Sequence, residues 1–360
     1  MKKTGTATLP LHYGKAPRWL FSRMTALSRE IIAALVTEFG AIEVLRRLSD
    51  PYWFQALGCI LGFDWHSSGL TTTVTGALKE GLKDMEKELG IFIAGGKGLR
   101  SRKTPDEIHN YAERYSFDPL PLVYASRMSA KVDNTALQDG YRLYHHVFIS
   151  TLKGDWAVIQ QGMNLNNRKA RRYHWLGENV SNFVVEPHKA ICSEERHRTL
   201  NMVALESDDA RRISVALSKE VPDKVTKEAK KISSLILPNR HNVIMADINL
   251  KRLYKILTKT YETQPQNFES LLGIEGVGPK TIRALSLISE LIYDRPPSYS
   301  DPARFSFAHG GKDGTPFPVD RKTYDKTIDI MRNAIQSAGI GNTEKMNAIK
   351  RMNKYFQAAV

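Results

Sequence analysis

The sequence predicts an α+β protein that is predominantly helical. A mixed α/β N-terminal domain is built around a β-hairpin, and a helical C-terminal domain around a hairpin of two helices. Three observations carry this. Apolar residues recur at helical spacing over long stretches, as in Leu20, Met24, Leu27, Ile31 and Leu35. Two β-rich runs, Tyr141 to Ser150 and Trp156 to Gln160, meet at Lys153-Gly-Asp155, a hairpin signal. Finally, Leu271-Leu-Gly-Ile-Glu-Gly-Val-Gly-Pro-Lys-Thr-Ile-Arg-Ala-Leu285 reads as a helix end, a glycine turn and a second helix opening at Pro279. The expected divisions are a mixed domain over 1–193, a charged helical bridge over 194–236 and a helix-hairpin-helix domain over 237–360.

Taken in order, Arg18 to Leu48 describes two helices meeting at Gly40, and Pro51 opens a third. Ser67 or Ser68 caps a helix reaching Leu89, with His66 beside its start as a candidate site residue. Gly95-Gly-Lys-Gly98 with Arg100, Arg102 and Lys103 reads as a basic loop; it lacks the ending of a P-loop. Thr104 starts the next helix. A polar helix from Pro121 to Leu137 carries Asp133 and Asn134 and precedes the β-hairpin. A basic helix with Arg168, Lys169, Arg171 and Arg172 is expected after it. In the second half, helices are expected over Asn249 to Tyr261, Phe268 to Leu272 and Pro279 to Tyr293, with another amphipathic helix after Tyr324.

Composition narrows the partners. With 52 Lys and Arg against 38 Asp and Glu, the 360-residue chain carries a formal charge of +14, which favours a polyanion, most simply nucleic acid. Cys59 and Cys192 have neither disulfide-framework nor zinc-ligand spacing, so a reducing compartment is the natural reading. No apolar run approaches the roughly 18 residues of a membrane span, and no signal core follows Met1-Lys-Lys, so the expectation is a cytoplasmic protein without a membrane partner.

The glycine turn carries the most specific chemistry. Gly276 and Gly278 around Val277 leave backbone N–H groups facing outward at a helix start, a site for a phosphate oxygen of DNA, with Lys280 and Thr281 as further contacts. Arg168, Arg171 and Arg172 are expected to add phosphate contacts. A second constellation suits a metal-dependent nuclease using magnesium or manganese: Asp139, His145, His146 and Asp155, with Gln160 and Gln161 closing a strand. Glutamine and glycine at 160 and 162 stand where such a site wants Glu and Lys.

The C-terminal half resembles the helix-hairpin-helix DNA glycosylases of the endonuclease III type, on Gly276-Val-Gly-Pro-Lys-Thr281 and on Val319-Asp320 followed by a helix. That resemblance implies that Lys280 attacks the sugar C1′ and forms a Schiff base while Asp320 assists loss of a damaged base. It departs from the family in the 40 residues between Lys280 and Asp320, about twice the family interval, and in Arg321 after the aspartate. The cysteine-rich tail of some members is absent, so no cluster and no other cofactor is expected. Asp301 competes for the acidic role by spacing, and His309 and Lys312 lie in a glycine-rich loop that forms a candidate pocket.

Over its length the chain also resembles a prokaryotic family classed as domain of unknown function 763. The carrying stretches are Trp65-His-Ser-Ser-Gly69, Lys131-Val-Asp-Asn134, Gln160-Gln-Gly-Met-Asn164, Ala170-Arg-Arg-Tyr-His-Trp175 and Phe307-Ala-His-Gly-Gly-Lys-Asp-Gly314. The expectation is a DNA-repair enzyme, a glycosylase or abasic-site lyase acting on double-stranded or damaged DNA. The alternatives are a nuclease anchored by the hairpin and a non-catalytic nucleic-acid binder.

Overall fold

A computed structural model describes residues 16–63, 68–193, 195–233, 248–303, 321–339 and 341–358, with only the backbone for 321–328 and 354–358. The chain opens with α1 (Arg18–Phe39), which buries Met24, Leu27, Ile31, Ile32 and Leu35 along one stripe and stops at Gly40, where φ is 82°. After α2 (Ala41–Ser49), the Asp50 carboxylate caps α3 (Pro51–Ile60) by accepting from the amides of Tyr52 and Trp53 at 2.8 and 3.0 Å. The single helix expected up to Leu89 is divided into α4 (Ser68–Gly81) and α5 (Glu86–Leu89), with Asp84 left-handed at φ 67° between them.

Gly90 then turns the chain into β1 (Ile91–Lys97), so the expected loop at Gly95-Gly96 is instead a strand. The glycines permit close approach: a Cβ on Gly95 would lie 2.3 Å from the His146 carbonyl oxygen. Next come α6 (Leu99–Arg102), α7 (Thr104–Tyr115) and α8 (Leu120–Lys131), which runs into a π-helical turn, Val132–Ala136. The strands follow as β2 (Leu137–Gln138), β3 (Arg142–Thr151), β4 (Trp156–Asn164), β5 (Lys169–Leu176), β6 (Ala190–Cys192) and β7 (Leu200–Asn201). The remaining helices are α9 (Asp208–Ser218), α10 (Pro222–Ser233), α11 (Leu250–Thr263), α12 (Phe268–Gly273), α13 (Pro279–Tyr293), α14 (Arg321–Ser337) and α15 (Asn342–Ala358).

The architecture is α+β and mostly helical, around an antiparallel five-stranded sheet in the order β1-β3-β4-β5-β6. Both faces of the sheet are covered. Phe92, Phe148, Val158, Tyr173 and Trp175 on one face join a core that continues through α8 to α13. Ile93, Val147, Ile149, Ile159 and Leu176 on the other join a core with α1 to α4, α14 and α15. The first core takes Val225 and Ile232 from the expected bridge and Leu253 to Ile288 from the expected C-terminal domain.

The segment expected as a basic helix, Arg168 to Arg172, is the start of β5. Its alternate residues enter opposite faces of a sheet that is buried on both sides, so its charges find partners inside the protein. No helix among the described residues is long and apolar enough to cross a membrane.

Candidate nucleic-acid interface

The glycine turn is built as a tight connection between α12 and α13. Asn267 and Ser270 form a reciprocal capping box at the start of α12, with bonds of 2.8 and 3.0 Å. Leu271 and Leu272 fasten the helix to the core. The amide of Val277 donates to the Ile274 carbonyl at 3.2 Å, and Gly276 takes φ 92°. Gly278, with φ −135° and ψ −175°, is the N-cap of α13, and Pro279 occupies its first turn.

Val277 is a buried anchor, whereas Gly276 and Lys280 are exposed and Gly278 is half-buried. The amides of Gly276 and Gly278 make no hydrogen bond within the described residues. They sit at the positive end of α13, which suits an anionic oxygen. Thr281, expected as a contact, is buried, and its amide closes the first turn on the Gly278 carbonyl at 3.0 Å.

The N-terminal half buttresses this turn. Lys131 donates to the Val277 carbonyl oxygen at 2.5 Å, and its half-burial lowers its pKa. Gln138 donates to the Pro279 carbonyl at 2.9 Å and accepts from Arg283 at 3.0 Å. Behind the turn, Ile256 of α11 lies 3.7 Å from where a Cβ on Gly276 would stand. Exposed Arg252, Lys255 and Lys259 follow on α11 at helical spacing, and Lys259 pairs with Glu275 at 2.9 Å.

Directly beyond Lys131, the π-helical turn buries Asp133 in a polar network the sequence indicated only in part. One Asp133 oxygen accepts from Gln160 at 2.6 Å and from the Trp175 indole at 3.0 Å; the other meets His188 at 2.5 Å. Gln160 in turn pairs its carbonyl oxygen with His146 Nδ1 at 2.7 Å, and His146 Nε2 meets Ser126 at 2.9 Å. Burial lowers the pKa of His146. Ser126 and His188 escaped the sequence reading, and Trp175 entered it only within a family stretch, because they lie on other elements with no motif spacing to link them to Asp133.

The nuclease constellation does not assemble. His145 and His146 are consecutive on β3 and enter opposite faces, His145 meeting Thr75 at 3.0 Å, with burial lowering its pKa to about 3. Asp155 lies in the turn at the far end of β3, accepting from Thr151 at 2.9 Å. Asp139 is bound to Arg171 at 3.0 Å, Tyr173 at 2.6 Å and the Tyr141 amide at 3.0 Å. Among the described residues no three His, Cys, Asp or Glu are grouped so as to hold a metal ion. Gln161 is buried, accepting from Thr71 at 2.5 Å and donating to the Ser68 carbonyl at 2.8 Å. Asn134 is exposed and accepts from the Leu143 amide at 3.3 Å.

The expected arginine contacts divide. Arg168 is exposed in the turn between β4 and β5, with φ 54°. Arg171 and Arg172 are fully buried, so in this arrangement neither reaches a phosphate. Arg172 donates to Gln55 at 3.0 Å and stacks over Phe54. Arg171 bridges Asp139 to Asp301, meeting the two Asp301 oxygens at 3.0 and 2.7 Å. Burial works to lower its pKa, but the carboxylates Asp139 and Asp301 outweigh that and raise it. Asp301, the competing acid by spacing, is thereby committed to a buried ion pair. His66, His309, Lys312 and Asp320 lie outside the described residues.

A family model described as protein of unknown function, DUF763, matches residues 5–319. No curated protein and no solved structure matches the chain.

Proposed function

The chain belongs to the DUF763 family of proteins of unknown function, and from that premise we propose that it binds the phosphate backbone of double-stranded DNA through the turn Gly276 to Lys280. The observation that carries this reading is the state of the turn. Its valine is pinned in the core, while the amides of Gly276 and Gly278 are left without internal partners at a helix N-terminus, next to an exposed lysine. Phosphate contacts of this kind position a protein on DNA without reading its sequence. The formal charge of +14 and the exposed Arg252, Lys255 and Lys259 beside the turn fit the same partner.

Within that reading, base excision through Lys280 is the chemistry we propose for a repair enzyme. The Lys280 nitrogen attacks C1′ of the damaged nucleotide as the glycosidic bond breaks, and the base departs with the bonding electrons and takes up a proton. The lysine nitrogen of the adduct then loses a proton and expels O4′, so that the C1′–O4′ bond breaks, O4′ is protonated to a hydroxyl and the opened sugar is held as a Schiff base. The exposure of Lys280 also suits a phosphate contact, and the two roles separate experimentally.

Binding to a duplex is measured across a salt series, and borohydride trapping on damaged and abasic duplexes reports the Schiff base. Wild-type protein is expected to bind with a steep salt dependence and to trap, and Lys280→Ala to lose the trapped adduct. Salt-dependent binding without any adduct would leave a non-catalytic binder. Failure of the wild type to bind any duplex would sink the backbone reading itself.

A further inference from the structure

The two most exposed large hydrophobic side chains among the described residues are Leu99 and Leu165, 74% and 69% accessible. A single exposed leucine needs no explanation. These two, however, lie at the same end of the sheet. Leu99 follows β1 where Lys97 pairs with His145 and the Gly98 amide donates to the Tyr144 carbonyl at 2.7 Å. Leu165 follows β4, whose Met163 pairs with Arg142 and whose Asn164 pairs with Lys169. As β1 and β4 flank β3, two strand spacings, roughly 10 Å, separate the strands that deliver them.

Their surroundings are cationic. Lys97, Arg100, Arg102, Arg142 and Arg168 are all exposed at this end. The carboxylates near this end are already engaged: Glu195 by Lys169 and His197, Glu107 by Lys79, and Asp139 by Arg171.

The Leu165 turn is held firmly. The Asn166 amide donates to the Asn164 side chain at 2.9 Å, the Lys169 amide to that of Asn167 at 3.1 Å, and Asn167 reaches the Tyr141 hydroxyl at 3.3 Å. A leucine on so braced a turn is presented to solvent by the backbone.

This end of the sheet is also continuous with the glycine turn. The Asn164 side chain lies 3.2 Å from where a Cβ on Gly140 would stand. Gly140 is two residues, each step about 3.8 Å, beyond Gln138, which donates to the Pro279 carbonyl at 2.9 Å. Chain contacts thus link the glycine turn to this edge through Gln138, Gly140 and Asn164.

We propose that the sheet end bearing Leu99 and Leu165 is the second half of the DNA interface, with both leucines acting as wedges that unstack base steps. Arg142 and Arg168 hold the flanking phosphates. The inference rests on backbone binding at Gly276 to Lys280 and adds that the bound duplex is deformed. Apolar wedges between base steps are a general means of kinking DNA, and their cost is least at mismatched or damaged steps.

The experiment uses the full chain and duplexes carrying 2-aminopurine at a central mismatched or paired step, with fluorescence anisotropy for affinity. Wild-type protein should bind and brighten the probe, more strongly at the mismatch. The double variant Leu99→Ser with Leu165→Ser should lose the brightening even at protein concentrations that saturate the duplex. Arg142→Gln with Arg168→Gln should weaken binding about tenfold and lower the salt slope by about two. Unchanged melting midpoints in all four substitutions separate these effects from folding. If both double variants behave as wild type while Gly278→Ala binds poorly, the wedge inference falls and backbone binding stands. If wild type binds no duplex, both fall; if it brightens the probe only in single strands, the wedge inference falls.

Discussion

The ammonium group of Lys131, at the end of α8, donates to the carbonyl oxygen of Val277 at 2.5 Å. An N-terminal helix thereby supports the turn on which the C-terminal hairpin depends. Replacing Lys131 with Met keeps the stem and removes the donor. A charge-assisted hydrogen bond of this type contributes about 1.5–3 kcal/mol, and half-burial places Lys131 in the lower part of that range. The expected outcome is faster amide exchange at residues 277–281 and weaker DNA binding, with a modest fall in the denaturation midpoint. Hydrogen exchange with peptide resolution checks it.

The two glycines of the turn separate stability from binding. Gly276 sits at φ 92°, so Gly276→Ala strains the backbone and is expected to cost about 1 kcal/mol or more. Gly278 is extended, and a Cβ there would meet only the Gly276 carbonyl oxygen at 3.8 Å, an ordinary contact. Gly278→Ala therefore meets no steric obstacle, and its cost is that of a poorer N-cap residue, about 0.5–1 kcal/mol. Its methyl group would nevertheless obstruct close approach of a phosphate to the amide, so affinity for duplex should fall about tenfold, or ~1.4 kcal/mol. Urea denaturation and anisotropy on the same preparation check both halves.

Arg171 holds two buried carboxylates, Asp139 and Asp301. Arg171→Met leaves both without their cation, and a loss of about 3–5 kcal/mol is expected. Arg171→Lys is not conservative here, because one ammonium cannot reproduce the paired contacts to Asp301. Adding Asp139→Asn and Asp301→Asn to Arg171→Met should recover part of the stability. Thermal melts of the set provide the test, and no recovery would count against the ion-pair account.

Burial holds His145, His146 and His174 below the ordinary imidazole value of 6.5, His145 at about 3. Below pH 6.5 the folded chain binds fewer protons at these positions than the unfolded chain, so stability must fall as pH decreases through that value. Between pH 7 and pH 5 His145, neutral throughout in the folded chain, accounts for roughly 2 kcal/mol. Urea midpoints at the two pH values measure the slope, and His145→Gln should reduce it. A stability that does not change between them would contradict neutral burial of these rings.

Much of the architecture was legible. Helical spacing placed α1 and α2 around Gly40, and turn chemistry placed the β3–β4 hairpin and the α12–α13 connection. The sequence reading lacked β1, β2, β5, β6 and β7, and for β1 and β5 the physical reason is plain. β1 contains the Gly95-Gly96 pair, which reads as a loop until the His146 carbonyl is seen packed where a side chain would go. β5 carries Lys169, Arg171 and Arg172, and such charge reads as a solvated face unless both sides of the sheet are known to be covered. The candidate site divided along the same line: the glycine turn is a local motif, but the carboxylates and histidines near the β-hairpin were grouped by closeness in sequence. Strand alternation and the length of β3 then sent them apart.

By itself the sequence determined what depends on neighbours in the chain: helix periods, caps, the glycine turn, and a net positive charge. Only the tertiary structure decided which charges face water. Arg168 and Arg171 are three residues apart, yet one stands in an exposed turn and the other lies between Asp139 and Asp301. Burying a cation is tolerable only where distant segments bring it carboxylates, and that meeting is a property of the packed sheet.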